Sequence, residues 1–561
     1  MPALKRRSEN IYFYSDHEPL VIRSKKYELY IQGNPVLYSS VEGTKTWIEN
    51  ISKGIRENIH DIEKYIYKSL KKTSGLYSLI LILNDKIILA SDVIRSFPLI
   101  YGFRNGDLFI TDNIEEYQKE HGRLEIADDR IEEFLAYGNI FENNTLYKDI
   151  FGLQAGEIVS ISENKIESNR YFIFKPADKP DIYKSVFDFS KAFDELFVFV
   201  FSRMINDHPE VNNWIVPLSG GHDSRLVVNY LYRLGVKNVI CFSYGTKGNK
   251  QSVISKQVAE ALGYKWYFIE YNDKKWNDIF RNGVFGEFVD YAFNGISTPH
   301  IQDFLAVYEM KRMGIIKEGD VFLPGHTVVT ETVFSEATLK LKTREEAINY
   351  VYSTIIMMKP EQDKNKSLLM LLEKMYDGSG SKPENFMSYC DWQERQSKYI
   401  TNSVRGYEFM GFRCFQPMWD AEMVDFWLKI PADWRVERDP LYQMEKNYGL
   451  VEQLMQIPYT IEDKKSLKSK MISIIRRSLP EIVIIYLLKV LKRKVKLNEG
   501  LNETYALAGL SVPSIIEPVE DFHKKTHGLF YHYLKRMPYQ IDPVIMTSLY
   551  TIRRLLNRKN K

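Results

Sequence analysis

The chain has 561 residues, of which 44% are hydrophobic and 27% charged, so its sequence indicates a folded protein of two or three domains. A net charge of +3 argues against a general binder of nucleic acid. Three cysteines, none at metal-ligand spacing, exclude a disulfide framework and are typical of a reducing compartment. Without a secretory signal or an apolar run of about 18 residues, the chain is predicted to be cytoplasmic and to lack a transmembrane segment.

Short strands and polar turns dominate the first third of the chain. Asn105–Gly106 predicts a two-residue turn within a hairpin at 99–112, and residues 150–172 predict a second hairpin. A helix is expected at 129–137. This pattern predicts an α+β domain with mainly antiparallel sheet. Further strands, rich in β-branched and aromatic residues, are predicted within 27–38 and 75–92.

The pattern changes after residues 174–183, whose two prolines and several charges predict a linker. A helix with apolar periodicity is predicted at 185–204. Beyond it, strands alternate with helices across short loops, which predicts right-handed crossovers and a parallel sheet. Residues 340–460 are predicted to be mostly helical. The alternating elements are a strand ending at Leu218, a helix from about Asp223, a strand at 238–245, a helix at 250–263 and a strand at 265–271.

A basic segment follows near the C-terminal end of the sequence. Residues 464–496 contain 11 Lys and Arg but a single acid, Glu481, around an apolar stretch at 482–491. Such a segment fits an interfacial helix on an anionic membrane. A packed helix with snorkelling basic flanks explains the same pattern and is the simpler interpretation.

The string LSGGHDS at 218–224 joins a predicted strand to a predicted helix. Glycines let the backbone approach a ligand, and successive N–H groups at a helix N-terminus attract phosphate. Asp223 can coordinate Mg²⁺ on a pyrophosphate, and Ser219 and Ser224 can donate hydroxyl bonds. The alternative is that Gly220–Gly221 only turns the chain and Asp223 only caps a helix. The strand–loop–helix context favours a phosphate cradle, although the loop is neither a Walker loop nor a dinucleotide fingerprint.

This string resembles the Ser-Gly-Gly-x-Asp-Ser loop of the ATP pyrophosphatases that form AMP esters, and its context is similar to the asparagine synthetase family. The similarity extends over roughly residues 75–450 and keeps the family's order of segments. The stretches that resemble family motifs are 91–117, 145–162, 241–271 and 395–431, the last with a Pro-Phe-Leu-Asp-like turn at Pro417–Asp420.

The resemblance implies an α+β N-terminal amidotransferase-like sandwich of NTN-hydrolase type, over residues 1–175. An α/β parallel-sheet ATP-pyrophosphatase domain, of the adenine nucleotide alpha hydrolase-like fold and with a helical C-terminal part, is implied at 184–460. A basic helical extension at 461–561 completes the predicted organisation. In the family, the first domain releases ammonia from glutamine, and the second adenylates a carboxylate so that a nitrogen nucleophile displaces AMP.

The cofactors that the resemblance implies are ATP and Mg²⁺. The implied substrates are a small-molecule, peptide or sugar carboxylate and ammonia or an amine; nucleic acid is not expected, and a homodimer is left open. Carried over by position, Asp223 would be the Mg²⁺ ligand and Tyr244 would contact adenosine. The loop residues that would bind ATP are Leu218, Ser219, Gly220, Gly221, His222, Asp223 and Ser224.

Several positions depart from the family pattern. Pro324 and Gly325 match the backbone of the second ATP motif, but His326 replaces a glutamate and Val329 replaces the Mg²⁺-binding aspartate. Glu331, two residues further along the chain, is a candidate substitute for the missing aspartate. His326 either binds phosphate or caps a turn, and the sequence favours neither. The lysine expected near the pyrophosphate has three candidates, Lys446, Lys464 and Lys465, and the catalytic residues we predict are Asp223, His326 and Lys446.

The family's glutaminase uses a processed N-terminal cysteine that its own amine activates. This sequence begins Met1–Pro2–Ala3 and its first cysteine is Cys241, so glutamine hydrolysis is not expected. The leading hypothesis is an ATP-dependent, AMP-forming carbon–nitrogen ligase that uses ammonia or an amine from elsewhere. The alternative is a nucleotide-binding pseudoenzyme or scaffold of the same fold. Sulfur or tRNA chemistry on the same loop is a weaker third hypothesis.

Overall fold

The structure, a computed structural model, describes residues 11–14, 19–162, 165–177, 183–329, 335–355, 366–460 and 543–559. The predictions for Met1–Ala3, Glu331 and the basic segment at 464–496, with its candidates Lys464 and Lys465, lie outside the described residues.

Two β-sheets form the first part of the chain. Their strands, with the small β4–β5 ladder, are β1 (Ile11–Tyr12), β2 (Leu20–Arg23), β3 (Glu28–Gly33), β4 (Val36–Leu37), β5 (Thr73–Ser74), β6 (Tyr77–Ile82), β7 (Lys86–Ser91), β8 (Ile100–Arg104), β9 (Asp107–Thr111), β10 (Ile150–Gly152), β11 (Glu157–Ser162) and β12 (Lys165–Arg170). One sheet has the order β12–β11–β7–β6–β3–β2 and the other β1–β9–β8–β10. Their ladders are antiparallel except for the parallel pair β1–β9.

Helices cover both outer faces of these sheets. They are α1 (Thr44–Glu57), α2 (Ile62–Leu70), α3 (Ile114–His121) and α4 (Asp128–Tyr137). Because neighbouring side chains of a strand point to opposite faces, Leu29 packs in one core with Trp47 of α1, while Tyr30 packs in another with Tyr101 of the second sheet. Phe134 of α4 lies in the core on the far side of the second sheet. The first part is therefore a helix–sheet–sheet–helix sandwich.

The local predictions for this sandwich are confirmed. Strands β8 and β9 form the predicted hairpin, in which Asn105 and Gly106 have φ of 52° and 88°. Positive φ at both central residues is the backbone that a two-residue turn needs to match the twist of its strands. Strands β11 and β12 form the second hairpin, and α4 begins at Asp128, one residue before the predicted start.

A five-stranded parallel sheet forms the centre of the second part. Its elements are α5 (Val186–Asp207), β13 (Trp214–Pro217), α6 (His222–Arg233), β14 (Val239–Gly245), α7 (Lys250–Ala261), β15 (Lys265–Glu270), β16 (Val321–Phe322) and β17 (Arg413–Cys414). The order is β15–β14–β13–β16–β17, and every pair is parallel. After β13 the chain adds β14 and β15 on one side of β13, and it later adds β16 and β17 on the other side. The strand order therefore reverses beside β13. The loops after β13 and β16 therefore flank a crevice at the carboxyl ends of the strands.

Helices make up most of the remainder, as predicted for 340–460. They are α8 (Asp273–Arg281), α9 (Val284–Phe293), α10 (Phe304–Arg312), α11 (Arg344–Ile355), α12 (Lys366–Gly378), α13 (Pro383–Cys390), α14 (Arg405–Phe409), α15 (Ala421–Leu428), α16 (Asp439–Met444), α17 (Glu452–Met455) and α18 (Pro543–Lys559), with π-helical segments at Asp391–Ile400 and Glu445–Gly449 and 3₁₀ turns at Thr338–Lys340, Thr401–Val404, Pro417–Trp419 and Ala432–Arg438. A further 3₁₀ turn, Ile59–Asp61, lies between α1 and α2 of the first part. Within the described ranges, no helix combines the length and apolar character needed to cross a bilayer.

The two parts share one continuous core, which holds Trp47 and Tyr77 of the sandwich together with Trp214 and Trp419 of the second part. The predicted linker has no helix or strand in its described residues, 174–177 and 183. Because packing continues across this segment, the domain limits at 175 and 184 stay a prediction.

A buried charge cluster also joins the two parts. Arg203 on α5 donates to Asp420 Oδ2 and to Glu422 Oε1, each at 2.8 Å. The Ser74 hydroxyl on β5 contacts both carboxyl groups. Burial and the adjacent Glu422 raise the pKa of Asp420 well above its usual value, whereas hydrogen bonds from Arg203 and Asp420 outweigh burial and lower the pKa of Glu422. The cluster therefore pairs the Arg203 charge with the Glu422 carboxylate.

Candidate functional site

The glycine pair lies at the carboxyl end of β13, the central strand, immediately before α6. Gly221 is the N-cap residue of α6, and Asp223 lies in the first turn of that helix. Ser219 Oγ and Ser224 Oγ are 3.0 Å apart across the loop. Leu218, which precedes the serine, is buried and donates its N–H to β14. The predicted strand–loop–helix is confirmed, and it brings two hydroxyls and a carboxylate to one helix N-terminus.

The N–H groups of the loop have partners within the chain. Ser219 N donates to Ser224 Oγ at 3.0 Å, Gly220 N to Gln251 Oε1 at 2.7 Å, and Gly221 N to Ser219 Oγ at 3.1 Å. A Cβ at Gly220 would lie 2.5 Å from Gln251 Oε1 and 3.2 Å from the Ile254 side chain, so the loop backbone approaches α7 closely at this glycine. These bonds preform the loop, and a phosphate oxygen would have to replace them or use the first turn of α6.

The loop after β16 contacts the N-terminus of α6. A Cβ at Gly325 would lie 2.7 Å from the Ser224 backbone nitrogen, and Pro324 beside it is buried. The two loops thus meet across the crevice with a glycine at the contact. Val329, which the sequence resemblance sets against a Mg²⁺-binding aspartate, is 2% exposed and belongs to the hydrophobic core. Val329 therefore supplies neither a carboxylate nor any other metal ligand.

The structure places His326 in a hydrogen-bonded setting beside Trp419, on which its ring stacks with centroids 4.9 Å apart. Its Nε2 lies 2.9 Å from Ser403 Oγ and its Nδ1 lies 3.1 Å from Gln416 Nε2. Because Gln416 Nε2 can only donate and the Ser403 hydroxyl donates to Ile400 O, Nδ1 accepts and Nε2–H donates. Burial, with a smaller effect of His300, lowers the pKa of His326 to about 3. This neutral ring, with both nitrogens engaged, favours the structural interpretation over phosphate binding.

Asp223 forms an ion pair with Arg438. The Arg438 side chain is 5% exposed and the Asp223 side chain 29%. Burial raises the pKa of Asp223, and Arg438 opposes that effect. Arg438 has φ of 64°, in the left-handed region that residues other than glycine rarely adopt. A buried guanidinium thus takes the place that a divalent cation would need at Asp223.

Residues 438–459, which we name the closing segment, make further contacts with the loop helix. His222 Nδ1 lies 2.5 Å from Glu445 Oε2, and the His222 ring stacks on Tyr459 with centroids 3.6 Å apart. Tyr459 donates to the same Glu445 oxygen at 3.0 Å. The Arg225 guanidinium lies 3.8 Å from the centre of the Tyr459 ring and donates to Ile457 O at 2.7 Å. The closing segment therefore holds the N-terminal half of α6 through charge, stacking and hydrogen bonds.

The other two predicted residues are not joined to this network. Tyr244 lies at the carboxyl end of β14, but its hydroxyl bonds Asp303, which also accepts from Tyr407. Burial raises the pKa of Asp303 and these two phenols oppose that effect. Lys446 is exposed, and it is the preceding residue, Glu445, that contacts the loop.

The donor set fits ATP in part. The Ser219 and Ser224 hydroxyls and the N-terminus of α6 are suited to phosphate oxygens. Among the described residues, no group of three or more His, Cys, Asp or Glu side chains could hold a metal ion. Mg²⁺ that arrives with a nucleotide needs only one or two carboxylates besides phosphates and water. Asp223 is the carboxylate of the loop that would serve this role, and Arg438 occupies it in this structure.

Sequence reasoning missed the residues that close the site, namely Arg438, Glu445 and Tyr459. Arg438 and Glu445 contact side chains 215 and 223 residues away in sequence, so no local spacing connects them. Gln251, which binds the Gly220 N–H, gave a weak signal, because it is a polar residue at the start of a helix that follows a parallel strand.

No family model matches the chain, and no curated protein matches it in sequence. Among solved structures, the allosteric regulatory enzyme of purine biosynthesis matches 46% of this chain and 63% of its own length, at 14% identity and a TM-score of 0.21. A glutamine phosphoribosylpyrophosphate amidotransferase from B. subtilis, complexed with ADP and GMP, matches 45% of this chain and 73% of its own length, at 12% identity and a TM-score of 0.21. NMN synthetase from Francisella tularensis matches 38% of this chain and 95% of its own length, at 12% identity and a TM-score of 0.22. Such scores support no inference about this chain.

Proposed function

We propose that the chain binds Mg·ATP in the crevice between residues 218–224 and 324–326, adenylates a carboxylate and transfers it to ammonia or an amine. The observation that carries this proposal is the grouping of Ser219, Asp223 and Ser224 at the carboxyl end of the central strand, where the strand order reverses. In open parallel sheets, ligands bind at such a reversal.

Each residue of the crevice has a role in the proposed site. Ser219, Ser224 and the first turn of α6 would hold phosphate oxygens, and Asp223 would hold Mg²⁺. Bound ATP supplies AMP as a good leaving group for a carboxylate, whose own oxygen leaves poorly. Arg438, once separated from Asp223, would keep a positive charge beside the phosphates, where it stabilises negative charge that develops during the reaction.

The nitrogen donor in this proposal comes from outside the chain. Residues 1–175 contain no cysteine, and the three that the sequence has belong to the second part. Cys241 and Cys390 are buried, and burial raises the pKa of both thiols. Burial also raises the pKa of Cys414, so none of the three thiols has the exposed, low-pKa setting of a nucleophile.

A second candidate function is a nucleotide-binding scaffold without turnover. The observations that favour it are the ion pair on Asp223 and the burial of Val329 where a second Mg²⁺ ligand would stand. In that case the closing segment would sense the nucleotide rather than assist a reaction.

ATP–pyrophosphate exchange with the intact chain, measured across a panel of carboxylates, tests the ligase. We expect exchange with at least one carboxylate and its loss in Asp223→Asn. Asp194→Asn is the control and should retain exchange, because Asp194 belongs to a different ion pair, with Arg233. ATP binding without exchange for any carboxylate would support the scaffold, and the absence of ATP binding would contradict both functions.

A further inference from the structure

A small cavity lies between the sandwich and the helical part, and none of its lining residues belongs to the two crevice loops. Arg95 lines it from the sandwich, and Ser297, Asn402 and Arg405 line it from the second part. The space that the centres of water-sized groups can occupy is about 20 Å³. Since one water needs about 10–15 Å³ on this measure, the cavity suits a ligand of very few atoms.

Arg95 is a buried cation that forms no ion pair or hydrogen bond with a carboxylate among the described residues. It is 6% exposed. Among the described residues, its side chain forms one hydrogen bond, from Nη1 to Ser397 O at 3.0 Å. Burial, reinforced by the neighbouring Arg405, lowers the pKa of Arg95 to about 10, and this outweighs the opposing effect of Glu394, Asp92 and Glu157. A guanidinium has five N–H donors, so most of the donors of Arg95 remain for a ligand.

The other cations at the cavity already have their counter-ions. Lys398 donates to Glu394 and to two backbone carbonyls, those of Ile140 and Glu142. Arg405 pairs with Glu408 at 2.5 Å and donates to Ser96 O. Among the described residues, Arg95 is therefore the one cation lining the cavity that has no carboxylate within ion-pair distance.

Two further features of the same place indicate a ligand. The Ser297 hydroxyl, on a residue 3% exposed, has no hydrogen-bond partner among the described residues. Arg95 itself has φ of 62°, so a residue for which that backbone is unfavourable occupies a position suited to glycine. Unfavourable backbone conformations cluster at functional sites, and buried charges are normally paired, so both features at Arg95 are consistent with a bound counter-ion.

We propose that this cavity binds a small carboxylate, with the Arg95 guanidinium as its counter-ion and the Ser297 hydroxyl as a second donor. The planar fork of a guanidinium matches a carboxylate through two parallel hydrogen bonds. The limited space selects formate- or acetate-sized groups over phosphate esters. This site is separate from the crevice and does not depend on the function proposed there.

Thermal unfolding of the full chain against formate and acetate tests the proposal, with the bulky HEPES sulfonate as background anion. For wild type, we expect a saturable rise of the unfolding midpoint with either anion. Arg95→Gly removes the charge, so this variant should lose the saturable response. Because glycine tolerates the positive φ at this position, the variant should be at least as stable as wild type when formate is absent. Arg95→Lys should retain a response with at least tenfold weaker affinity. The matched control is Arg104→Gln. Like Arg95, Arg104 donates to a single carbonyl, that of Gly122, but it does so at the surface.

Ser297→Ala keeps the proposal testable if changes at Arg95 prevent folding, because it removes only a hydroxyl. We expect a several-fold weaker response to formate in this variant. A wild-type chain with no saturable response to either anion would overturn the proposal. So would an Arg95→Gly or Ser297→Ala variant that responds as wild type does.

Discussion

The Arg438 guanidinium is paired with the Asp223 carboxylate at the N-terminus of the helix that follows the glycine pair. The two residues are 215 positions apart in sequence, and they join the closing segment to the loop that the sequence marks as a phosphate cradle. In the proposed function a divalent cation must displace this guanidinium, so the ion pair sets how much Mg²⁺ the site requires.

Replacing Arg438 with Gln should lower the Mg²⁺ concentration at which ATP binding is half-maximal, at fixed ATP. The physical reason is that Gln removes the intramolecular cation that competes for Asp223. We expect a shift of at least threefold in a titration followed by calorimetry. Arg413→Gln is the control, because Arg413 lies on β17 of the same sheet and its ion pair with Glu210 is exposed. An unchanged or higher Mg²⁺ midpoint in Arg438→Gln would contradict the competition.

Gly325→Ala should destabilise the crevice and weaken ATP binding. The added methyl would lie 2.7 Å from the Ser224 nitrogen, which forces the two loops apart. We expect a loss of about 1–3 kcal/mol in the free energy of unfolding, as for other overpacked sites, and at least tenfold weaker ATP binding. Gly378→Ala, at the C-terminal end of α12 where a Cβ meets no atom within 4 Å, should leave ATP binding unchanged and should not destabilise the chain, since alanine favours a helix by up to about 1 kcal/mol. Equal behaviour of the two variants would show that the loop contact is not needed.

His326 should make stability depend on pH. Its pKa in the folded chain, about 3, is below its ordinary value of 6.5, so the unfolded chain takes up a proton that the folded chain does not. Its contribution is therefore complete above pH 6.5 and is lost as the pH falls from 6.5 toward 3, by up to about 1.4 kcal/mol per pH unit. Unfolding measured between pH 7 and pH 4 should be less acid-sensitive in His326→Gln than in wild type.

The exposed His60 supplies the control for this comparison. His60→Gln should leave the wild-type acid sensitivity in place. An imidazole of His326 that NMR shows to become protonated near pH 6.5 in the folded chain would disprove the neutral assignment.

Arg203→Gln should be strongly destabilising. It removes the cation from a buried cluster and leaves the Glu422 charge without compensation, a change that costs about 3–5 kcal/mol. Denaturant unfolding measures the loss. Arg233→Gln breaks a more exposed pair with Asp194 and should cost about 1 kcal/mol or less. Similar losses in the two variants would mean that the cluster does not hold the sandwich on the second part.

Local signals were sufficient to predict most of the elements. Asn105–Gly106 encodes its turn through the positive φ that both residues tolerate, and the alternation of strands and helices after residue 214 predicted the parallel ladder β13–β14–β15. The pairing of β16 beside β13, and the parallel pair of β1 with β9, were not predictable because they join strands that are far apart in sequence.

The candidate site was predictable in its loop but not in its surroundings. Ser219, Asp223 and Ser224 lie within six residues, so their proximity follows from one turn and the start of one helix. The partners of Asp223 and His222, which are Arg438 and Glu445, come from a segment whose position depends on tertiary packing. His326 had two open interpretations because only the structure shows what its two nitrogens contact.

The most direct test of the central claim, that ATP binds at the glycine loop, is a calorimetric titration of the intact chain with Mg·ATP. We predict one saturable site in wild type, at least tenfold weaker binding in Asp223→Ala, and unchanged binding in Asp194→Ala, whose carboxylate belongs to a different ion pair. The absence of saturable binding in wild type, or equal binding by wild type and Asp223→Ala, would contradict the claim.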